Sequence, residues 1–236
     1  MAVDRVRLAG ALTAIVAGAP EIRLFPERLC AACVNVLPVD GVGLSLMTRD
    51  QPGGRALLGA SDAVGARIEE LQFDLGEGPC FSAFNDARPV LVPDLQDDEP
   101  RVRWPMFTRE VQMVGVGSLF AFPLQVGAIG VGVLDCYRSR VGQLNEIAEA
   151  LAIADAVTVA LINFRGGQGL EDEPVDLFDL SWRTHAVVHQ ATGALAAELG
   201  ISTEDALARL RARAFRESRP VDAVARDLMA DELHIA

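Results

Sequence analysis

The chain is 236 residues long and half of its residues are apolar, enough to build one or two domains with a substantial core. Its formal charge is -12, from 21 basic and 33 acidic residues, and every basic residue is an arginine. From Leu180 onward seven arginines stand against eight acids, so nearly all the negative charge lies in front of that point and repels phosphate backbones and anionic membranes. Any nucleic-acid binding therefore falls to the C-terminal segment.

Arg5 and Arg7 followed by the apolar run from Leu8 to Pro20 imitate a secretory leader. Asp4 inside the charged region and the helical spacing of Val3, Val6, Leu8, Leu12, Ile15 and Val16 favour a packed N-terminal helix over 3–17 instead. No apolar run is long enough to span a membrane. Cys30, Cys33, Cys80 and Cys136 have no disulfide-framework spacing, which points to a reduced, cytoplasmic protein. A second helix is expected over 21–37, punctuated by Pro20 and Pro38. Cys30 and Cys33 share a face of that helix, and two thiols do not complete a tetrahedral zinc site.

Strand signals follow. Val42, Leu44 and Leu46 alternate with Gly43 and Ser45, the pattern of a half-buried strand, and Gln51–Arg55 is turn chemistry leading into a strand over 56–61. A helix suits 62–71. A long loop then separates it from two apolar strands over 117–124 and 129–137, and a long helix is expected over 142–164. The Gly- and acid-rich stretch 165–176 reads as a linker. The order implies an α+β domain with a mainly antiparallel sheet over 1–164, and a second unit over 177–236.

In the loop after the helix, Gly76 and Gly78 flank Glu77 and permit positive φ, Pro79 stiffens the turn, and Cys80 stands where a short helix begins. Cys80 is read either as a thiolate activated by a helix N-terminus or as a small buried apolar side chain. Trp104, Phe107, Phe120 and Phe122 are pocket or core aromatics. The front unit contains no histidine, so a nucleophile there has only Glu77, Asp94 or Asp135 as a base, and with no lysine there is no lysine-bearing phosphate loop. The residue pattern favours sensing over turnover.

The C-terminal segment reads as three helices. Val187, Val188, Ala191, Leu195 and Leu199 form an apolar stripe ending at Gly200, Ser202 opens the next helix as a cap with acids in its first turn, and Arg219–Pro220 breaks the chain before Val221, Val224, Ala225 and Leu228. At about 100° per residue, Arg209, Arg213 and Arg216 share one stripe and Arg211 lies on the other flank. Guanidinium forks match phosphates and stack on unpaired bases, whereas the alternative role is a solvated face pairing with Glu204, Asp205 and Glu217.

The strings DLGEGPC at 74–80, Arg88-Pro-Val90, Pro93-Asp-Leu95, RWPMF at 103–107, GVGSLFAFPL at 115–124 and GVGVLDCYR at 130–138 resemble a GAF domain over roughly residues 20–164. That resemblance implies a six-stranded antiparallel sheet with helices behind it, a pocket for an unidentified small molecule or redox signal bordered by Gly76, Glu77, Gly78, Cys80, Phe120 and Phe122, and dimerisation through terminal helices. The cofactor, if any, is unknown. A GAF-type methionine sulfoxide reductase is the enzymatic alternative.

Residues 185–229, with QATG at 190–193, GISTEDAL at 200–207, LRARA at 210–214 and Val224-Ala225 in register, resemble the ANTAR domain of antitermination regulators. This implies a three-helix bundle that binds RNA hairpins with unpaired loops, as a homodimer, with Gln190, Thr192, Gly193, Arg209, Arg211, Arg213 and Arg216 at the interface. Thr192 departs from the pattern, since many members carry lysine there. Its hydroxyl supplies no counterion-releasing charge, so affinity leans on the arginines. The three alternatives to RNA are duplex DNA, a protein partner, and the reductase activity already named.

Overall fold

The computed structural model describes residues 24–48, 55–163 and 185–230. The helix expected over 3–17, the Gln51–Gly54 turn and the linker 165–176 lie outside the described residues. In chain order the elements are α1 (Phe25–Val36), β1 (Gly41–Met47), β2 (Arg55–Ala60), α2 (Ala63–Leu75), α3 (Pro79–Asp86), β3 (Val90–Val92), α4 (Asp98–Arg103), α5 (Pro105–Gln112), β4 (Ser118–Val126), β5 (Ile129–Arg138), α6 (Ile147–Asn163), α7 (Ala186–Leu199), α8 (Thr203–Glu217) and α9 (Val221–Met229).

The described residues form one five-stranded sheet of order β2-β1-β5-β4-β3, antiparallel at every junction, where the resemblance implied six strands. The register aligns Val42, Cys136 and Phe120 in one row and Leu44, Leu134 and Phe122 in the next. These rows face α1 and α6, with Leu29, Cys33, Ile153 and Val157 completing that layer. The opposite face carries Leu119, Ala121, Val133 and Tyr137 against Ile68, Cys80, Phe84 and Phe107. Both faces are covered, so β1 is buried along its whole length, and the expectation of a half-buried strand is corrected.

The segment read as a long loop contains α3, β3, α4 and α5. Their signals are short and prolines start two of them: Pro79 and Pro105 each occupy the first helical turn, where a missing N–H costs nothing. Helix α2 runs past the expected end at Leu71, because Gly76 stops it in the left-handed conformation with φ of 67°. Asp62 caps its start by accepting from Gly65 N at 2.7 Å. Helix α6 begins at Ile147, later than the expected 142.

Helices α7, α8 and α9 form the expected bundle around Val188, Ala191, Leu195, Leu207, Leu210, Val221, Val224 and Leu228. Ser202 caps α8 as expected, accepting from Asp205 N at 3.0 Å. The bundle's own core is alanine, valine and leucine, and the one phenyl ring in the cluster is Phe73, 1 % exposed, from α2. The two units therefore share a packed seam.

Candidate functional site

The residues expected to border a sensor pocket divide between the two faces of the sheet. Phe120 and Phe122 are fully buried toward α1 and α6, while Cys80 packs on the face covered by α2 and α3. Residues two apart on a strand share a face, so Phe120 and Phe122 both look toward α1 and α6, whereas α3 lays Cys80 against the opposite face; they do not share one cavity, and that grouping is corrected. Glu77 is occupied as well: its Oε1 accepts from Met106 N at 2.6 Å and Phe107 N at 2.7 Å, closing the N-terminal turn of α5. Gly78 has φ of 140°, and a side chain there would strike Gln72, 2.6 Å from its Oε1.

The face behind α2 instead holds a buried charge cluster. Arg55 pairs with Glu69, both at most 2 % exposed, and also donates from Nη1 to the Glu69 carbonyl at 2.7 Å. Ser45 Oγ donates to Glu69. Gln72 Nε2 donates to Asp135 Oδ2 at 2.7 Å, and Gln72 Oε1 accepts from Cys80 N at 2.9 Å. Gly43 admits this cluster, since a Cβ there would lie 2.5 Å from Glu69 Oε1. Burial, then the Glu69 carboxylate beside it, push Asp135 well above the usual carboxylate range. The signal for this network was present in sequence as a polar Ser45, Arg55 and Asp135 within apolar strands.

Cys80 is fully buried, and burial raises its thiol well above the ordinary value against the opposing pull of Arg55. Of the two readings of Cys80, full burial supports the packed thiol. Burial likewise pushes Cys33 up to about 12. All four cysteines are free and buried. Among the described residues no group of three or more His, Cys, Asp or Glu is placed to hold a metal ion, and no helix is long and apolar enough to cross a membrane.

On the bundle, Arg209 and Arg216 are exposed, and neither enters an ion pair among the described residues. Arg213 pairs with Glu217 one turn on, and Arg219 pairs with Glu217 and Asp227. Gln190 is exposed on α7. Thr192 is 5 % exposed and donates to the Val188 carbonyl at 2.7 Å, so its hydroxyl does not face a partner; its expected interface position is corrected. Gly193, expected at the interface, faces open space.

Arg211 is the largest departure. Its Nε donates 3.0 Å to the Phe73 carbonyl at the end of α2, and its guanidinium lies 5.6 Å from the Phe73 ring centroid. Phe73 stacks on His185 at 3.7 Å and meets His189 edge-on at 6.5 Å. His189 is wedged at this seam, where burial and then His185 pull it down to about 4.

A GAF domain model matches residues 26–162, more than half of the chain, and an ANTAR domain model matches residues 181–229. The chain belongs to the GAF family and carries an ANTAR domain. Among solved structures it is similar to the GAF domain of a phosphoenolpyruvate-protein phosphotransferase from Coxiella burnetii, 16% identical over 66% of this chain and 90% of that one, TM-score 0.49. It is also similar to the corresponding Acinetobacter GAF domain, 11% identical over 68% and 94%, TM-score 0.49. A third likeness is to fRMsr of Staphylococcus aureus in complex with substrate, 14% identical over 68% and 97%, TM-score 0.47. With scores below 0.5, none of them bears on what this chain does. A search of curated proteins finds no match. A GAF domain joined to an ANTAR domain is the architecture of a signal-transducing regulator of antitermination, and the two domains meet where Phe73 enters the ANTAR bundle.

Proposed function

We propose that this chain is a cytoplasmic, non-enzymatic RNA-binding antitermination regulator in which the GAF domain senses a small-molecule or redox signal and the ANTAR bundle binds RNA hairpins in leader transcripts. The observation that carries the reading is the open α8 face, where Arg209 and Arg216 stand exposed, outside any ion pair among the described residues, in a domain that matches ANTAR. Exposed guanidinium groups supply the counterion release that an overall acidic chain otherwise lacks. Gln190 adds a hydrogen-bonding side chain on α7, and Arg213 joins by leaving Glu217.

Self-association fits the GAF surface. Leu151, Val159 and Ile162 form an exposed apolar stripe along α6, and Val36 of α1 is equally exposed. We assign this stripe to a homodimer contact. Turnover is disfavoured by the full burial of Cys80, which raises its thiol, and by a GAF domain without histidine.

The test is hairpin binding by the full chain across a salt series. Replacing Arg209 and Arg216 with alanine lowers affinity about tenfold or more and reduces the salt slope by about one for each phosphate no longer neutralised. Equal competition by duplex DNA, or binding indifferent to both arginines, overturns the RNA assignment.

A further inference from the structure

Helix α2 places consecutive residues into two different interiors. Glu69 and Gln72 belong to the sensor: Glu69 holds Arg55 and Ser45, and Gln72 ties Asp135 on β5 to Cys80 at the start of α3. Phe73, the next residue, points out of the sensor and into the ANTAR core, 1 % exposed beside Val188, Leu210 and Val224. Asp74 follows and accepts from Val221 N of α9 at 3.4 Å. Neighbouring side chains on a helix diverge by about 100°, so a rigid α2 cannot shift Gln72 without shifting Phe73.

The end of α2 also takes an arginine out of the candidate RNA face. The last carbonyls of a helix lack internal partners and carry partial negative charge. Arg211 satisfies the Phe73 carbonyl, and Gly76 makes this approach possible, since a Cβ there would lie 2.7 Å from Arg211 Nη1. The grip is incomplete. Arg211 Nη2 is buried with no hydrogen-bond partner among the described residues, and burial, then Arg55, pull the guanidinium down to about 10. A phosphate offers that fork two charged acceptors where the seam offers one carbonyl.

We propose that α2 is a two-sided latch, in which Gln72 and Glu69 are held by the sensor's buried network while Phe73 and its carbonyl hold the ANTAR bundle with Arg211 masked, so that rearrangement of the network withdraws Phe73 and frees Arg211 for RNA. The masking part rests on the RNA reading above; the latch itself does not. Signal transfer thus runs directly through the seam at α2, in addition to any path through α6 and the linker.

The test uses the full chain with two readouts: phenylglyoxal labelling of individual arginines followed by mass spectrometry, and affinity for a synthetic hairpin RNA. In the unaltered chain Arg211 labels on the order of tenfold more slowly than Arg209 and Arg216, as its burial against α2 requires. Phe73→Ala removes the plug, and Gln72→Leu breaks the sensor-side tie while keeping the ANTAR core filled, so it serves if Phe73→Ala unfolds. Both variants bring Arg211 labelling to the rate of Arg209 and raise hairpin affinity about tenfold, with helical circular dichroism retained. Arg211 labelling as fast as Arg209 in the unaltered chain overturns the latch. So does a folded Gln72→Leu chain whose Arg211 stays protected. Exposure of Arg211 without tighter RNA binding, where Arg209→Ala still weakens binding, overturns the masking of an RNA contact. Exposure of Arg211 in chains that bind no RNA at all supports the latch and overturns the RNA reading instead.

Discussion

Arg55 and Arg209 are the same side chain in two regions of the molecule. Arg55 is 2 % exposed between β2 and α2, with the Glu69 carboxylate on one terminal nitrogen and the Glu69 carbonyl on the other, whereas Arg209 stands in solvent on α8. The first is architecture, because a charge removed from water must keep its partners or destabilise the fold. The second is available for binding, because solvent already satisfies it and a phosphate can replace that solvent. Arg211 lies between the two, partly enclosed and partly satisfied, and it sits at the seam where sensor meets output.

Deleting one charge in each region separates the two roles. Glu69→Ala leaves Arg55 uncompensated and is expected to cost about 3–5 kcal/mol in urea unfolding. Arg209→Ala is expected to leave stability within about 0.5 kcal/mol while weakening hairpin binding. Equal losses at the two positions would erase the distinction.

Acid provides the next largest effect, and it acts on the seam. His189 faces Phe73, His185, Asp222 and Arg211, and its folded value near 4 lies below the ordinary 6.5. A base depressed by folding contributes stability that is present above about 6.5 and is lost as pH falls toward 4. Unfolding measured through that window is expected to show a decline that His189→Gln flattens. Asp135 has the opposite sign: raised by burial, it stabilises the fold fully below the ordinary carboxylate value of 3.8, and that contribution is lost as pH rises from there toward the raised folded value, so Asp135→Asn flattens that decline.

Smaller effects separate capping from surface pairing on α8. Ser202→Ala removes the acceptor for Asp205 N and is expected to cost about 1 kcal/mol in thermal unfolding. Arg213→Ala loses only the part-exposed pair with Glu217, and a change of less than about 0.5 kcal/mol is expected.

Much of the architecture was legible along the chain. Strand alternation and turn residues placed β1, β2, β4 and β5 within a few residues, and the Gly200–Ser202 boundary located the α7–α8 junction, because these signals depend on local backbone chemistry. The start of α3 at Pro79–Cys80 was legible from its proline, but α4 and α5 were not, since they are too short to show a period. The pocket residues failed for a different reason: Phe120 and Phe122 point to the face of the sheet covered by α1 and α6, while α3 lays Cys80 against the opposite face.

The arginine stripe shows the same division. Spacing alone determined that Arg209, Arg213 and Arg216 share a face of α8 with Arg211 on the other flank, because helical geometry is local. Packing in three dimensions made Arg211 cap the end of α2, turned the Thr192 hydroxyl inward to Val188, and set Phe73 into a bundle encoded more than a hundred residues later. Those outcomes depend on which surfaces exclude water together, and the order of residues along the chain carries no direct record of that.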